Sequence, residues 1–226
     1  DNSGSWTQVY KTSSNVDVIC LAVSPSGSVF AGTYDGALYR STNNGADWTA
    51  LKVTTTSTTM FGLTVNTSGH VFAATSPTGI YRSTDNGDNW TQMNSGLTNP
   101  YTMSVAVNIN GYLFVGGFNG DVFRSTDNGA SWTNMNTGFS NNVMCLSFDP
   151  SGYLYAGTLS SGVFRSVKST NVPTVTTTSA ASVGMTTATL NGLVNPNSVA
   201  ATAWFEWGTS NSLASPSTTQ SQSIPA

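Results

Sequence analysis

The stretch Ser83-Thr-Asp-Asn-Gly-Asp-Asn-Trp90 decides the fold, because it recurs as Ser125-Thr-Asp-Asn-Gly-Ala-Ser-Trp132. A third copy, Ser41-Thr-Asn-Asn-Gly-Ala-Asp-Trp48, carries Asn43 in place of the aspartate, and a shortened copy ends at Trp6. The closing tryptophans stand at 6, 48, 90 and 132, which is a constant period of 42 residues. A fixed period in the 40s predicts a repeat architecture, because one unit cannot bury its own apolar face and must stack on its copies.

Each unit predicts four short antiparallel strands. In the first whole unit the turn signals Pro25-Ser-Gly27 and Asp35-Gly36 separate apolar runs. The runs lie at 18–23, 28–33, 37–41 and 48–51. Four strands in about 42 residues are typical of one blade of a β-propeller. The sequence therefore predicts an all-β chain with a propeller over residues 1–170.

The order of strands along the chain predicts how this propeller closes. The chain opens on a lone fourth strand, Trp6–Tyr10, and its last unit supplies only three strands, at 143–148, 153–158 and 163–166. Pairing of Trp6–Tyr10 with residues 163–166 would complete a four-bladed ring and remove the exposed strand edges. A fragment of a larger propeller is the alternative.

The phrase Ser-x-Asp-x-Gly-x-x-Trp at 83–90 and 125–132 resembles the Asp-box, also called the bacterial neuraminidase repeat. The resemblance covers residues 1 to about 168 and implies a propeller without implying one function, because sialidases, xyloglucan-degrading enzymes and sortilin-like receptors share it. The phrase also has a structural explanation. The carboxylates of Asp85 and Asp127 can accept backbone N–H groups of their own turn. Gly87 and Gly129 can take positive φ, and the tryptophan can cover the turn.

The period ends after Pro173, so residues 171–226 form a second part. The segments Thr189-Leu-Asn-Gly-Leu-Val-Asn-Pro196 and Trp204-Phe-Glu-Trp207 resemble the first half of a bacterial fibronectin type III-like domain. Such a sandwich normally needs about seven strands. We therefore expect a small incomplete β-sandwich, in which Trp204, Phe205 and Trp207 form an association surface toward the propeller, another subunit or further chain.

Composition excludes several classes of function. Charged residues make up 8% of the 226 residues and the net charge is −3, so the clustered cations that nucleic acid requires are missing. No apolar run approaches the roughly 20 residues of a membrane span. The Thr-, Ser- and Asn-rich composition favours a secreted or cell-surface protein, of bacterial type by its resemblances.

No catalytic, metal or cofactor constellation is evident. Four arginines occupy one repeat position, which indicates blade packing rather than a sialidase-like substrate cluster: Arg40, Arg82, Arg124 and Arg165. Glu206 is the only glutamate, and the only histidine, His70, falls at a turn position and is expected to be exposed. Cys20 and Cys145 share a repeat position and are expected to be buried thiols, with a disulfide only if their repeats are neighbours in space.

Residues that differ between blades are better candidates for a binding site than residues that all blades share. The loops between second and third strands should emerge at one end of the ring, where Tyr34, Phe118 and Asn119 could bind a sugar or a protein loop. The leading hypothesis is a non-catalytic secreted or cell-surface module for adhesion, scaffolding or assembly, which binds protein or glycan or self-associates through its C-terminal part. The alternatives are a fragment of a glycoside hydrolase and a carbohydrate-binding module.

Overall fold

A computed structural model describes residues 4–12, 16–54, 56, 58–135 and 137–167. Of the remaining chain it describes six strand segments: 174–181, 189–195, 201–203, 206–207, 217–218 and 222–224. The chain divides into two units, Asp1–Ser166 and Val167–Ala226. In the described segments the regular structure is β-strand, apart from one 3-10 turn at Phe118–Gly120.

The described residues of the first unit form four antiparallel meander sheets, the blades, and the prediction of an all-β propeller fold is confirmed. Blade 1 contains β1 (Val18–Val23), β2 (Val29–Thr33), β3 (Leu38–Ser41) and β4 (Thr49–Leu51). Blade 2 contains β5 (Thr59–Val65), β6 (Val71–Ser76), β7 (Gly79–Ser83) and β8 (Thr91–Gln92). Blade 3 contains β9 (Thr102–Val107), β10 (Leu113–Gly117), β11 (Val122–Ser125) and β12 (Thr133–Asn134). Blade 4 contains β13 (Val143–Phe148), β14 (Leu154–Thr158) and β15 (Gly162–Arg165).

The hydrophobic core lies between the blades rather than within them. One cluster joins Phe30 and Leu38 of blade 1 to Met60 and Val71 of blade 2. A second joins blade 2 to blade 3, and a third joins Val122 of blade 3 to blade 4. The first strands of successive blades lie against each other, β1 on β5, β5 on β9 and β9 on β13. Each blade is therefore stabilised by the burial of apolar side chains under its neighbours.

The repeated turn after the third strand is held by a buried serine. In blade 2 the Ser83 hydroxyl accepts the Gly87 N–H at 2.8 Å and donates to the Asp85 carboxylate at 2.8 Å. The same carboxylate accepts the backbone N–H of Asn89 at 2.9 Å. Asn86 has φ 59° and Gly87 has φ 94°, so two consecutive left-handed residues complete the turn. Blades 1 and 3 repeat these contacts, with the amide of Asn43 replacing the carboxylate in blade 1.

Two of the repeated arginines tie one blade to the turn of the next. Arg40 of blade 1 donates to the Asn86 carbonyl at 2.6 Å, and Arg82 of blade 2 donates to the Asn128 carbonyl at 2.9 Å. Arg40 also pairs with the exposed carboxylate of Asp88. His70 makes a further inter-blade contact, since its Nδ1 lies 2.8 Å from Nδ2 of Asn128. The expectation of an exposed His70 was wrong, because this contact leaves the ring half-buried.

The predicted closure by Trp6–Tyr10 differs from the structure. Residues 6–10 form no strand, and in the described chain β15 pairs only with β14. Tyr10 instead packs on blade 1, with its ring centroid 4.9 Å from Tyr39 and 5.1 Å from Trp48. This burial raises the pKa of Tyr10 to about 12, helped by the hydrogen bond and charge interaction with Tyr39. The physical reason for the difference is that the aromatic surface of blade 1 holds the segment there.

The two cysteines are free and differ in burial. The Cys20 thiol donates to the Met60 carbonyl of blade 2 at 3.1 Å, and burial raises its pKa to about 12. Cys145 is exposed, so the expectation of two buried thiols was wrong for this residue. The reason is that Cys20 is covered by the next blade, whereas Cys145 belongs to the last blade of the series.

The described segments of the second unit form three antiparallel strand pairs. They are β16 (Thr174–Ala181) with β17 (Thr189–Asn195), β18 (Ala201–Ala203) with β21 (Gln222–Ile224), and β19 (Glu206–Trp207) with β20 (Ser217–Thr218). The predicted association surface falls mostly outside the described residues. Trp204 and Phe205 are not described, and only the backbone of Trp207 is, opposite Ser217.

The buried serine of the turn is expected to be a large contributor to stability. Ser83→Ala leaves the buried Gly87 N–H without its acceptor, which costs about 1–3 kcal/mol in the free energy of unfolding. Thr84→Ala is the matched control, because Thr84 is an exposed neighbouring hydroxyl and its removal should cost less than about 0.5 kcal/mol. Urea unfolding of both variants measures the difference. Equal midpoints would contradict the assigned role of Ser83.

The turn aspartates should make stability sensitive to acid. Hydrogen bonds from Asn89 and Ser83 lower the pKa of Asp85 to about 2, and those from Ser131 and Ser125 lower the pKa of Asp127 to about 2. The folded pKa lies below the unfolded value of about 3.9, so this stabilisation is complete above about pH 4 and is lost as pH falls towards 2.

The test is the double variant Asp85→Asn, Asp127→Asn, which copies the natural Asn43 of blade 1. Its melting temperature should fall less between about pH 5 and pH 2 than that of the wild-type chain, because two titrating groups are gone. The other carboxylates titrate equally in both proteins and cancel in the comparison. A parallel fall in both melting curves would refute the assignment.

Candidate functional site

The loops between second and third strands emerge at the end of the propeller opposite to the repeated turns, because successive hairpin connections of a meander alternate between its two ends. Backbone hydrogen bonds anchor these loops to the start of the first strand in the same blade. The Tyr34 N–H donates to the Asp17 carbonyl at 3.0 Å, and the Phe118 N–H donates to the Tyr101 carbonyl at 3.1 Å. In blades 1 and 3 the first residue of the loop is therefore placed beside the residue that precedes the first strand.

A cavity of about 400 Å³ opens at this end between blades 2 and 3. Blade 2 contributes Thr59, Phe61 and Ser76, and blade 3 contributes Asn99, Tyr101, Phe118 and Asn119. This volume is within the range of small-ligand and peptide-anchor pockets. Two repeat positions are shared across the cavity, since Thr59 and Ser76 of blade 2 correspond to Tyr101 and Phe118 of blade 3. The loops themselves also differ in backbone, because blade 3 forms a short 3-10 turn at Phe118–Gly120.

Aromatic rings form the two sides of this cavity. Phe118 meets Tyr101 edge to face, with ring centroids 5.6 Å apart and planes at 68°. On the other side Phe61 meets Tyr34 of blade 1 at 6.4 Å and 83°. Tyr34 and Tyr101 are exposed, while Phe61 and Phe118 are half-buried. We call the surface made by Tyr34, Phe61, Tyr101 and Phe118 the aromatic groove.

Two asparagines supply the polar groups of the groove. The Asn99 amide donates to Asp121 at 2.8 Å and accepts the Tyr101 N–H at 3.1 Å, which fixes the blade 3 side. Asn119 has φ 58°, a left-handed conformation that asparagine tolerates better than most residues. The backbone N–H of Asn119 donates to the Asn142 side chain at 3.1 Å, and the Asn119 side chain itself is exposed.

The three residues predicted from the loops fall in this region. Phe118 and Asn119 line the cavity, and Tyr34 extends the groove through Phe61. Prediction from the loops missed Phe61, Tyr101 and Asn99, because it compared only the loop sequences. Tyr101 occupies the repeat position that holds Asp17 and Thr59 in blades 1 and 2. A comparison of this position between blades would have revealed it.

The chemistry of the groove is that of recognition by stacking and hydrogen bonding. The residues that line the cavity carry aromatic, hydroxyl and amide groups. In the part of the chain that the structure describes, no three of the His, Cys, Asp and Glu side chains cluster closely enough to hold a metal ion. Among the described residues, no arginine lines the cavity. Arg40 and Arg82 donate to the repeated turns of the next blades, and Arg165 lies 4.8 Å over the ring of Tyr153.

Comparison with known families matches residues 54–189, more than half of the chain, to the DUF6242 beta propeller domain. The chain belongs to the DUF6242 β-propeller family. A search of curated protein sequences found no match to it. None of the described helices is long and apolar enough to cross a membrane.

Solved structures similar to this DUF6242 chain share its fold. The structure of YCF48 bound to D1 peptide is 15% identical, with a TM-score of 0.54 over 63% of this chain and 48% of that one. A GH74 enzyme of Niastella koreensis is 20% identical, with a TM-score of 0.56 over 67% of this chain and 28% of that one. An extracellular domain from B. thetaiotaomicron is 15% identical, with a TM-score of 0.54 over 66% and 20%. This chain thus spans half or less of the length of these three proteins.

Proposed function

We propose that this DUF6242 chain is a non-catalytic extracellular binding module, and that the aromatic groove is its recognition surface. The observation that carries the proposal is the pairing of exposed and half-buried rings around a cavity that is also lined by the hydrogen-bonded amide of Asn99 and the exposed side chain of Asn119. Aromatic side chains provide large contact area at low conformational cost, and such anchors dominate binding energy at interfaces. The groove would act in adhesion, scaffolding or assembly.

The ligand favoured by this chemistry is an extended, uncharged segment of a partner protein. A cavity lined by rings and amides can receive one apolar anchor, while Asn99 and Asn119 hydrogen-bond the flanking backbone. A charged ligand would be desolvated there without an opposite charge among the lining residues, which is costly. The similarity to YCF48, whose structure has a bound peptide, supports a peptide-binding propeller without identifying the partner.

A neutral glycan is the second candidate, because exposed tyrosine rings beside amide groups can also stack on and hydrogen-bond a sugar. The similarity to a GH74 enzyme is compatible with this use of the fold. A glycoside hydrolase would need two carboxyl groups facing one glycosidic bond, about 5–9.5 Å apart. The described residues that line the cavity carry hydroxyl, amide and aromatic groups and no carboxyl group.

Three further assignments made from the sequence are part of this proposal. We infer that the repeated turns are Asp-boxes, that residues 1–170 and 171–226 are separate domains, and that the second is a partial fibronectin type III-like domain. The similarity to an extracellular domain from B. thetaiotaomicron supports an extracellular location. The hydroxyl- and amide-rich composition of the chain supports it as well.

The proposal is tested by screening the chain against arrays of neutral peptides and of neutral glycans, followed by affinity measurement on the best binder. The double variant Tyr101→Ala, Phe118→Ala should weaken binding at least tenfold, because aromatic anchors typically contribute more than 1 kcal/mol each. Tyr112→Ala is the matched control. Tyr112 is an exposed tyrosine on the turn before β10, at the opposite end of blade 3.

Unchanged affinity in the double variant, with the control also unchanged, would exclude the aromatic groove as the binding surface. Peptide binding without glycan binding favours the first ligand class, and the reverse result favours the second. A glycosidase panel run in parallel covers the enzymatic alternative. Hydrolysis abolished by a single Asp→Asn substitution would overturn the non-catalytic assignment.

A further inference from the structure

The first strand of blade 1 exposes positions that the other blades bury. Val18 occupies the repeat position of Met60, Thr102 and Val143, each of which is 0% exposed, yet Val18 is 43% exposed. Leu21, in the position of the buried Leu63 and Val105, is also exposed. The difference arises because β5, β9 and β13 each lie against a preceding blade. The exposed positions of β1 therefore define one open face, the head face.

The last blade exposes a matching set. Val163 on β15 occupies the repeat position of Leu38, Ile80 and Val122, which are buried, yet Val163 is 74% exposed. At Gly32 and Gly116 the space beside the glycine is filled by Met60 and Val143 of the next blade, whereas Gly157 has only Cys145 of its own blade nearby. The surface around Val163, Gly157 and Cys145 is the tail face.

The N-terminal segment lies where the fourth strand of a preceding blade would lie. Val9 packs against Gly45 of the blade 1 turn, and Leu51 packs in the same way against Gly87 of the blade 2 turn. Leu51 also pairs with Leu38 of its own third strand. Val9 thus holds the position of a fourth-strand residue. Trp6, in the repeat position of Trp48, is 97% exposed.

We propose that a second copy of this chain covers these faces, with the tail face of one copy seated on the head face of the other. In this junction β15 pairs with residues 6–10 of the partner, Val163 lying opposite Val9 as Leu38 lies opposite Leu51. The vacant space at Gly157 receives Val18, as the space at Gly32 receives Met60. Cys145 then donates to the Val18 carbonyl, as Cys20 donates to Met60.

We choose a second copy as the occupant because the chain already contains three junctions, β1 on β5, β5 on β9 and β9 on β13, in which a neighbouring blade covers these same repeat positions. The junction is head to tail, so it uses two different faces and leaves one of each free until a ring closes. Two copies bring the total to eight blades, the top of the four-to-eight range usual for propellers. A third copy would exceed that range, so we expect a closed dimer.

Light scattering coupled to size exclusion tests the association on the 226-residue chain. The wild-type chain should have twice the 23.6 kDa mass of one copy. Val18→Asp and Val163→Asp should each raise the dissociation constant at least about a hundredfold, because each buries an unpaired charge in both junctions. Ile109→Asp is the control, since Ile109 lies on a turn and is 91% exposed, and it should remain dimeric.

Mixing the two aspartate variants distinguishes a head-to-tail junction from any other contact. A pair of one Val18→Asp chain and one Val163→Asp chain retains one intact junction, so the mixture should regain dimers that neither variant forms alone. A junction between identical faces, or association through residues 167–226, would not show this complementation. Circular dichroism and thermal unfolding establish that each variant is folded.

A further variant avoids charge in the blade strands. Thr7→Pro, Gln8→Pro removes two successive N–H donors, one of which must face the partner strand because neighbouring residues alternate in direction. Residues 6–10 form no strand in the single chain, so only dimerisation should be lost. In the dimer Cys145 should react with a thiol reagent at least about tenfold more slowly than in the monomeric variants.

A monomeric wild-type chain with folded blades would overturn the proposal, because the faces would then be covered by the chain itself or left open. An oligomer that withstands Val18→Asp, Val163→Asp and the double proline variant would overturn it as well. A concentration-dependent series of larger masses that collapses with either aspartate variant would retain the junction and refute the closed dimer.

Discussion

Burial of apolar side chains between blades is the constraint on which the rest of this structure depends. A single four-stranded meander has two faces and too few residues to cover either one, so Phe30, Met60 and Val143 are buried only because a neighbouring blade lies over them. The arrangement is quasi-one-dimensional, since each interface involves adjacent units alone. Stability is therefore distributed along the series, and the units at its ends are the least protected.

Hydrogen bonds set the spacing that this burial requires. The Ser–Gly turn places a glycine against the apolar side chains of the preceding blade, as Gly87 meets Leu51 and Phe30. Arg40 and Arg82 then bind backbone carbonyls of the same turns. With only 8% charged residues, the chain joins its blades through hydrogen bonds to uncharged acceptors more than through ion pairs. Such contacts depend little on ionic strength, which suits a protein of weak net charge.

The repeat period was enough to predict the blades, their four-strand plan and the conformation of the repeated turn. These features are local, because each turn is determined by its own residues: Asp85 accepts the N–H of Asn89, and Gly87 takes a positive φ. A repeated sequence therefore predicts a repeated turn. Closure could not be obtained in the same way. It depends on the angle between successive blades, which is a packing property, and on competing contacts such as that of Tyr10 with Trp48. The expectation that Cys145 is buried was wrong for the same reason, because burial at this position depends on a neighbouring blade and not on the strand itself.

The candidate site shows a related division. Comparison of loops between blades was enough to single out Tyr34, Phe118 and Asn119, because these positions are free of the constraints that hold the scaffold. The same comparison did not identify Phe61 and Tyr101. Phe61 belongs to a first strand and Tyr101 directly precedes one, and an aromatic residue at such a position is ordinarily assigned to the core. Their exposure is evident only once the blades are assembled and the cavity between blades 2 and 3 is seen.

Two kinds of repeat position therefore carry different information in this fold. Positions that are alike in all blades, such as Ser83 and Arg82, describe how one blade joins the next. Positions that differ, such as Tyr101 against Thr59, describe what the surface can recognise. A third kind becomes visible only in three dimensions: Val18 and Val163 resemble their counterparts in residue type but not in exposure. Single exposed apolar residues are common on protein surfaces, but these belong to whole strand faces that are buried in the neighbouring blades, and this is why we propose that a second copy covers them.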